Sequence, residues 1–462
     1  MANEVQPGRP GNLTPEQEEK VRQLWQSILQ LCGVYEDAVS SSAASATKTG
    51  PEPETPKKKR FGVFRRKGSD KPSPAESPAK GTDEDDKYGQ TKQFQETLAN
   101  QSPESIRATI WQMVKHDHPD ALVLRFLRAR KWDIYDALVM FVATMNWRLN
   151  DMKVDDDIMK AGEGGATEAA QNSSDPAVKT LNEDFLEQAR MGKSYLHGTD
   201  KNGRPICVVR VKLHKQGEQC EESLERYTVF IIETARMVLA PPVDTATIIF
   251  DMTGFSMANM DYGPVKFMIK CFEANYPESL GAVLVHNAPW VFQGIWKIIK
   301  GWLDPVVAGK VHFTNNRSGL EDFIEPSHII KELGGDEDWE FKYIEPIPGE
   351  NDTMKDTATR DALIKAREDL VKEYEATTIQ WINEPQGDNA KAIKAKRDTI
   401  AKQLRDNYWQ LDPYVRARSL YDRQGVIQEG GKIDWYHPKP PQPPAPAAQA
   451  SAGPETSADD VD

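Results

Sequence analysis

The stretch YPESLGAVLVHNAPW at residues 276–290 places a short apolar run between a carboxylate and a tryptophan. The run AVLVH (282–286) has the length and the branched side chains of a strand that is buried in a sheet. Glu278 and Gly281 precede it, and Trp290 follows it as the first residue of an aromatic-rich segment. The sequence therefore predicts a buried strand that links a charged group at one end to an aromatic helix at the other.

The segments around this strand alternate between strand and helix. SYLHGTDKNGRPICVVRVKLH (194–214) is predicted to form two short strands around a polar Asp-Lys-Asn-Gly turn. The elements predicted after it are a helix at about 223–239, a strand at 246–251, a helix at 262–276, the strand at 282–286, a helix at 290–302 and a strand at 311–313. Strands that alternate with helices indicate a mainly parallel sheet with helical crossovers.

A capped helix is predicted near the start of the chain. Thr14 supplies a hydroxyl cap, Pro15 fits the first turn and Gln17 lies three residues after the cap, which is the pattern of a capping box. Apolar residues then recur at helical spacing as far as Gly33, a typical stop. We expect this amphipathic helix, within residues 1–37, to dock on the protein itself, with docking on a membrane or a partner as the alternative.

Composition divides the rest of the chain. Residues 38–92 are rich in Ser, Thr, Pro and Lys and are predicted to be a disordered linker, because so little apolar surface does not offset the entropy of ordering. Within it, KKKRFGVFRRK (57–67) suits contact with an anionic membrane, nuclear import or simple solvation. Residues 93–170 and 346–437 are predicted to be helical, and the Pro/Ala-rich residues 438–462 are predicted to be a disordered tail.

The overall composition disfavours several classes of function. The formal net charge of −13 argues against nucleic acid as the main partner, since binding to nucleic acid depends on neutralising phosphates. The four cysteines form no C-x-x-C pair and are expected to be reduced. The amino terminus lacks the apolar core of a signal peptide, and no stretch is apolar over the roughly 18–20 residues of a membrane span. We therefore expect a cytoplasmic protein that associates peripherally with intracellular membranes.

The motifs of enzymes are incomplete. Gly-Lys-Ser at 192–194 resembles the end of a phosphate-binding loop, but Glu187 occupies the position of the upstream glycine. Gly-Phe-Ser-Met-Ala at 254–258 resembles a nucleophile elbow, but Ala258 replaces the last glycine and no strand leads directly into it. The eight histidines show none of the spacings of zinc sites. We expect no enzymatic activity, no cofactor and no metal.

The helix predicted at 290–302 is unusually apolar. WVFQGIWKIIKGWL (290–303) is apolar over most of its circumference, which is typical of a buried core helix. Its tryptophans and lysines also suit a membrane interface, and Gly294 and Gly301 weaken it, as in a movable lid. The sequence leaves both interpretations open. The residues predicted to form the apolar surface of this helix are Trp290, Phe292, Ile295, Trp296, Ile299 and Trp302.

Five motifs, in order along the chain, carry a family resemblance. They are LRFLRARKWD (124–133), DKNGRP (200–205), NYPESLG (275–281), HNAPWVF (286–292) and WLDPVVAGK (302–310). Together they closely resemble the CRAL–TRIO lipid-binding family and, within it, the fungal phosphatidylinositol transfer proteins. The resemblance implies an α/β fold in which a helical N-terminal lobe (93–170) precedes a domain (171–345) whose mainly parallel sheet floors an apolar lipid cavity. It also implies that helix 290–302 gates the cavity and that a helical extension follows at 346–437.

The resemblance further implies a site for a lipid headgroup. The phosphoinositide-binding residues of the family correspond to Arg130, Lys131, Glu278 and Lys310. The cations would neutralise the phosphate, and Glu278 would accept hydrogen bonds from inositol hydroxyls or orient a lysine. An ordinary surface cluster of salt bridges is the alternative. The chain departs from the family pattern at Val307, where the family has threonine, so one hydroxyl of the phosphate site is lost.

A second departure concerns the strand that ends at Asp251. Ala246 and Ile248 occupy the positions where phosphatidylcholine-binding relatives present small polar side chains, although a shift of one residue would place Thr245 and Thr247 there. Without that shift, recognition of a choline headgroup is not expected. A more apolar second ligand, a sterol or squalene, is then expected.

The function implied by the resemblance is lipid transfer. The protein would exchange phosphatidylinositol, with a sterol or squalene as further cargo, between membranes whose surface it touches transiently. Nothing in the sequence indicates more than a monomer. The fold also serves regulatory proteins, so a lipid-sensing adaptor that regulates a lipid enzyme or a small GTPase remains the alternative.

Overall fold

The computed structural model describes residues 5–35 and 86–438 of the chain. Within these ranges the strands are β1 (Ser194–Thr199), β2 (Pro205–Arg210), β3 (Ala246–Asp251), β4 (Leu280–His286) and β5 (Val311–Thr314). The helices are α1 (Pro15–Leu31), α2 (Gln90–Asn100), α3 (Pro103–Val114), α4 (Pro119–Ala129), α5 (Ile134–Asn146), α6 (Lys160–Asn172), α7 (Pro176–Arg190), α8 (Glu221–Met237), α9 (Tyr262–Lys270), α10 (Phe292–Lys300), α11 (Pro305–Ala308), α12 (Asn316–Glu321), α13 (Thr357–Asn383), α14 (Asp388–Val415) and α15 (Leu420–Arg423). Wider π-helical turns occur at Trp147–Asp151, Val154–Met159 and Cys271–Asn275.

The predicted α/β fold with a mainly parallel sheet is confirmed. The strands lie side by side in sequence order from β1 to β5. β1 and β2 are antiparallel around the predicted turn, in which the backbone N–H groups of Asn202 and Arg204 donate to Asp200 Oδ1 at 2.8 and 2.9 Å. The pairs from β2 to β5 are parallel, as their helical crossovers require.

Alternation along the central strands gives the sheet two different faces. Ile248 and Phe250 of β3 lie on one face with Val283 and Val285 of β4, because side chains point to opposite sides at successive positions. Ile249 lies on the other face, where Ala282, Leu284, Ile206 and Val208 form a compact core with residues 320–333. The second face is therefore closed by the chain itself, and the first is left to the helices α8–α11.

The expectation that α1 docks on the protein itself is confirmed. The capping box at Thr14 and Gln17 is formed, and Gly33 follows the helix with φ +71°. Trp25 is buried, and its Nε1 donates to Asp120 Oδ1 at 2.7 Å. Burial would raise the pKa of Asp120, but Arg397, with the nearby His118 and Trp25, holds that pKa down at about 2.

A buried network of charges joins the helical lobe to the sheet domain. The carboxylate of Glu233 in α8 is fully buried and accepts from Lys115 Nζ at 2.9 Å and from Arg148 Nη1 at 2.6 Å. Tyr276, at the start of the YPES loop, donates its hydroxyl to the same carboxylate at 2.8 Å. Burial opposes the charge on Glu233, yet Arg148 and Lys115 keep its pKa well below the usual value.

The C-terminal extension packs on both parts of the fold. Buried apolar residues of α13 and α14 share one core with α1 and α4, so these helices enlarge the helical lobe. Farther on, the hydroxyls of Tyr421 and Tyr436 accept from the backbone N–H groups of Leu196 and Thr199 in β1 at 2.7 and 3.2 Å. These tyrosines cover an edge strand whose unpaired backbone would otherwise be open to pairing with another chain.

The helical lobe begins earlier in the chain than the sequence predicts. Residues 86–92 are predicted to belong to the linker, but they contain the first turn of α2. Lys87 and Tyr88, just before that turn, contact Glu273. Those contacts join residues far apart in sequence, so local composition does not reveal them. The basic segment 57–67 and the tail from residue 439 lie outside the described residues.

The ion pair between Arg397 and Asp120 provides a test of the core around α1. In Arg397→Met, Asp120 loses hydrogen bonds of 2.6 and 2.9 Å while its carboxylate stays buried. We expect urea denaturation to show a loss of about 3–5 kcal/mol in the free energy of unfolding. Lys394→Met on the same helix removes only a pair with Glu18 that is about one-third exposed, and it should cost less than about 1 kcal/mol. Equal effects of the two substitutions would contradict this assignment.

Candidate functional site

A cavity of about 230 Å³ lies between the first face of the sheet and the helices α8–α11. Its floor consists of Ile248 and Phe250 from β3, Val283 and Val285 from β4, and Val311 from β5. Its roof includes the following apolar residues of α9–α11 and their connections: Val265, Met268, Ile269, Phe272, Phe292, Trp296, Ile299, Leu303 and Val307. Walls of this composition favour a hydrocarbon ligand, since apolar groups gain free energy on leaving water.

Helix α10 covers the cavity as a surface helix with one buried side. Phe292, Ile295 and Ile299 are buried against the end of the sheet, whereas Trp290 is 86% exposed and Ile298 is 48% exposed. The interpretation as a fully buried core helix is therefore wrong. The helix is also shorter than predicted, so Trp290 precedes it and points away from the cavity, while Trp302 follows it.

The outer surface of this region combines exposed apolar side chains with lysines. Besides Trp290, the large side chains of Val291, Val306 and Phe313 are exposed. Lys297 on α10 is also exposed. Aromatic and lysine side chains together are typical of surfaces that enter the boundary between lipid headgroups and acyl chains. Of the helices in the two described ranges, none has the length and apolar character needed to cross a bilayer.

One carboxylate holds the end of α10 to the chain before α2. Glu273, in the π-helical turn after α9, accepts from Lys87 Nζ at 2.8 Å and from the Tyr88 hydroxyl at 2.6 Å. Its other oxygen accepts from the backbone N–H of Asp304 at 2.7 Å, and Lys87 also donates to the carbonyl of Trp302. Burial and the carboxylate of Glu273 raise the pKa of Tyr88. The connection between α10 and α11 is thus fastened to a distant segment through Glu273.

The amino ends of β4 and β5 carry the predicted pair Glu278 and Lys310. Lys310 Nζ lies 3.9 Å from Glu278 Oε2, and both side chains are about one-quarter exposed. The backbone of Glu278 has φ +55°, a left-handed conformation that is uncommon for residues other than glycine. Val307 lines the cavity, and its carbonyl accepts from the N–H of Lys310 at 3.0 Å.

The other two predicted headgroup residues lie on the turn between α4 and α5. Arg130 Nη2 donates to Gln90 Oε1 at 2.6 Å, and Lys131 is exposed with φ +50°. The structure therefore brings Glu278 and Lys310 together as a pair, while Arg130 bonds to α2.

Sequence reasoning missed Arg125, which lies in the same motif. Its guanidinium is buried, and it donates to the carbonyls of Glu278, at 2.9 Å, and Asp244. These carbonyls precede β4 and β3, so Arg125 ties the starts of two strands to the helical lobe. An arginine on the buried face of an apolar helix was the signal that could have identified it, because such a charge needs partners.

The wall formed by β3 is apolar because the one-residue shift considered for its threonines does not occur. Ile248 pairs with Val283 and lines the cavity. Thr247 is buried on the opposite face, where its hydroxyl donates to Asp200 Oδ2 at 2.7 Å. The hydroxyl of Thr247 is therefore unavailable to a ligand in the cavity.

Comparisons with known proteins agree with this architecture. Residues 90–143 match the CRAL/TRIO N-terminal domain and residues 189–335 match the CRAL/TRIO domain. A CRAL-TRIO domain-containing protein of Schizosaccharomyces pombe is 43% identical over 91% of this chain and 92% of its own length. The chain belongs to the CRAL/TRIO domain family.

Two further relatives are named after lipid transfer or Sec14. A phosphatidylinositol transfer protein of Eremothecium gossypii is 38% identical over 93% of this chain and 100% of its own length. A SEC14 cytosolic factor of Yarrowia lipolytica is 29% identical over 42% of this chain and 38% of its own length. The CRAL/TRIO match contains all five described strands and every residue that lines the cavity except Gln188.

The hydrogen bonds accepted by Glu273 should keep α10 closed over the cavity. Glu273→Ala removes the acceptor of Tyr88 and of the Asp304 N–H, so the segment 292–304 should open more often. We expect its amide hydrogens to exchange about tenfold faster, the effect of losing one or two hydrogen bonds to a charged group. Glu222→Ala, an exposed glutamate at the start of α8, is the matched control. Unchanged exchange in the Glu273 variant would show that this carboxylate does not hold α10 closed.

Proposed function

We propose that this protein carries one lipid at a time in the cavity and exchanges phosphatidylinositol between membranes. The observation that carries the proposal is an apolar cavity whose lining residues Leu280 and Val311 lie beside a charged rim, which is the pair Glu278 and Lys310, 3.9 Å apart. A membrane lipid has the same division between hydrocarbon and charge. The relative named a phosphatidylinositol transfer protein, which aligns with 93% of this chain, supports the same function.

The hydrocarbon part of the lipid supplies most of the binding energy. Each buried methylene contributes about 0.8 kcal/mol when it leaves water, so an acyl chain is stable only in a closed, dry space. A bilayer offers the same stabilisation, which makes exchange between the two nearly balanced. The transfer cycle then consists of docking, opening of α10, exchange of lipids, closure and departure, and it includes no covalent step.

The charged rim would select the headgroup. Lys310 neutralises the phosphate, and Glu278 accepts hydrogen bonds from inositol hydroxyls or orients Lys310. Arg130 and Lys131, on the turn between α4 and α5, are predicted to add positive charge for the same headgroup. Val307 has a hydrocarbon side chain where the family has threonine, so the headgroup site lacks one hydroxyl donor. Phosphatidylinositol would therefore be held mainly by charge.

Docking would use the exposed apolar residues around α10. Trp290 and its neighbours insert at the membrane surface, and the lysines of α10 favour anionic lipids. Contact with the membrane would be transient, as exchange of lipid between two membranes requires. The apolar wall at Ile248 favours a sterol or squalene over a choline lipid as the second cargo.

Lys310→Ala tests the headgroup assignment. Protein from a eukaryotic host is examined by native mass spectrometry with lipid extraction, and transfer of phosphatidylinositol between vesicles is then measured. We expect the variant to lose its co-purified phosphatidylinositol. The rate of transfer should fall at least about tenfold, which is the effect of losing one charge-assisted hydrogen bond. Lys342→Ala, an exposed lysine outside the cavity, is the control.

The other outcomes discriminate between functions. If only a sterol or squalene co-purifies and Lys310→Ala leaves it bound, the headgroup role of Lys310 is overturned. If the protein is empty and transfers no lipid, transfer is refuted and the lipid-sensing adaptor that regulates an enzyme or a small GTPase takes its place.

Trp290→Ala tests docking on membranes. The side chain is 86% exposed, so its loss should leave thermal stability unchanged. Vesicle sedimentation should show about tenfold weaker binding, because burying a large apolar side chain contributes about 1.5–3 kcal/mol. Tyr135→Ala removes an exposed aromatic side chain from the helical lobe and serves as the control. Equal binding by both variants would place the docking surface elsewhere.

A further inference from the structure

A second polar cluster borders the cavity beside the start of β1. Lys193 is only 6% exposed, and its Nζ donates to Gln219 Oε1 at 2.6 Å and lies 3.3 Å from His214 Nδ1. The other ring nitrogen of His214 lies 3.3 Å from Asp261 Oδ2. Lys193, His214 and Asp261 all line the cavity, together with Asn259.

This cluster and Glu278 lie at opposite ends of the parallel strands. The carbonyl of Lys193 accepts from the N–H of Arg210, the last residue of β2, at 2.9 Å. Glu278 instead precedes the first residue of β4, and β2, β3 and β4 are parallel. The six residues of β3 span roughly 17–20 Å, so about this distance along the strands separates the two polar groups, and the residues of β3 and β4 that line the cavity are apolar.

The ammonium group of Lys193 has a donor left for one further acceptor. An ammonium group has three N–H donors, and in the described ranges two acceptors lie within hydrogen-bonding distance of Nζ. Burial lowers the pKa of Lys193 to about 8, so the group is still mostly protonated at neutral pH. A pure hydrocarbon in the cavity would leave the third donor without a partner in an apolar space, which is unfavourable.

We propose that Lys193 and its neighbours bind the oxygen of a neutral lipid, a hydroxyl or a carbonyl at the end of an otherwise apolar body. This inference rests on the proposed lipid-binding function of the same cavity. Among the expected apolar cargoes it selects a sterol-like alcohol and disfavours squalene, which has no acceptor.

Nearby carboxylates explain why the ligand is neutral. Asp261 contacts His214, and Glu187 Oε2 accepts from Gln219 Nε2 at 2.9 Å. The negative charges of Glu218 and Asp184 also act on Lys193. A ligand carboxylate would meet like charges here, whereas a hydroxyl accepts from Lys193 at no such cost.

A pair of matched lipids tests the proposal. Cholesterol and cholestane share a ring skeleton and differ by the hydroxyl. Protein from a bacterial host is equilibrated with phosphatidylcholine vesicles that contain either lipid in tritiated form, and the ratio of bound cholesterol to bound cholestane is measured. We expect Lys193→Met to lower this ratio about tenfold or more, and Lys402→Met, on the exposed side of α14, to leave it unchanged.

The same variants separate this proposal from the proposed function. Transfer of phosphatidylinositol should survive Lys193→Met, since the charged rim lies at the other end. An unchanged ratio with intact transfer overturns the role of Lys193 alone. A wild type that transfers phosphatidylinositol but binds neither cholesterol nor cholestane does the same. A wild type that handles none of the three lipids overturns both proposals. If Lys193→Met does not fold, Lys193→Gln takes its place. Its neutral amide group can still donate a hydrogen bond, so the ratio should fall to an intermediate value, and an unchanged ratio there is equally decisive.

Discussion

The buried carboxylate of Glu233 is the point on which the arrangement of the two lobes depends. Lys115 reaches it from the end of α3, Arg148 from the turn after α5, and Tyr276 from the loop before β4. A buried charge that loses one partner is strongly destabilising, so all three segments must be in place together. The loop that carries Glu278 is therefore held against the helical lobe before any ligand arrives.

The cavity itself follows from the alternation of side chains on β3 and β4. Every second residue is used to close the far face of the sheet, where Thr247 bonds to Asp200 and Ile249 enters a compact core. The remaining residues, such as Ile248 and Val283, present hydrocarbon to a space that the helices enclose without filling. A slip of one residue would exchange these roles, which is why the strand register matters more to ligand choice than any single side chain.

Most of the fold could be predicted because its signals are local. The apolar runs of β3 and β4 and the Asp-Lys-Asn-Gly turn define strands from neighbouring residues alone. The family resemblance predicted a headgroup role for Glu278 and Lys310, and the structure places their side chains 3.9 Å apart. The missed groups share one property, which is that their partners lie far away in sequence. Arg125 bonds to a carbonyl 153 residues away, and Lys87 bonds to Glu273 across 186 residues. No periodic pattern encodes contacts of this kind.

The anchoring of the chain on both sides of residues 36–85 has a consequence for how this protein can vary. On one side α1 is locked in place by Trp25, and on the other side Lys87 and Tyr88 are fixed at Glu273. Both ends of that interval are therefore tied to the fold by side chains that lie outside it. Closing a chain between two fixed points costs only about 0.6 kcal/mol more for each doubling of its length, so changes in the length of this interval are expected to leave the fold around the cavity the same.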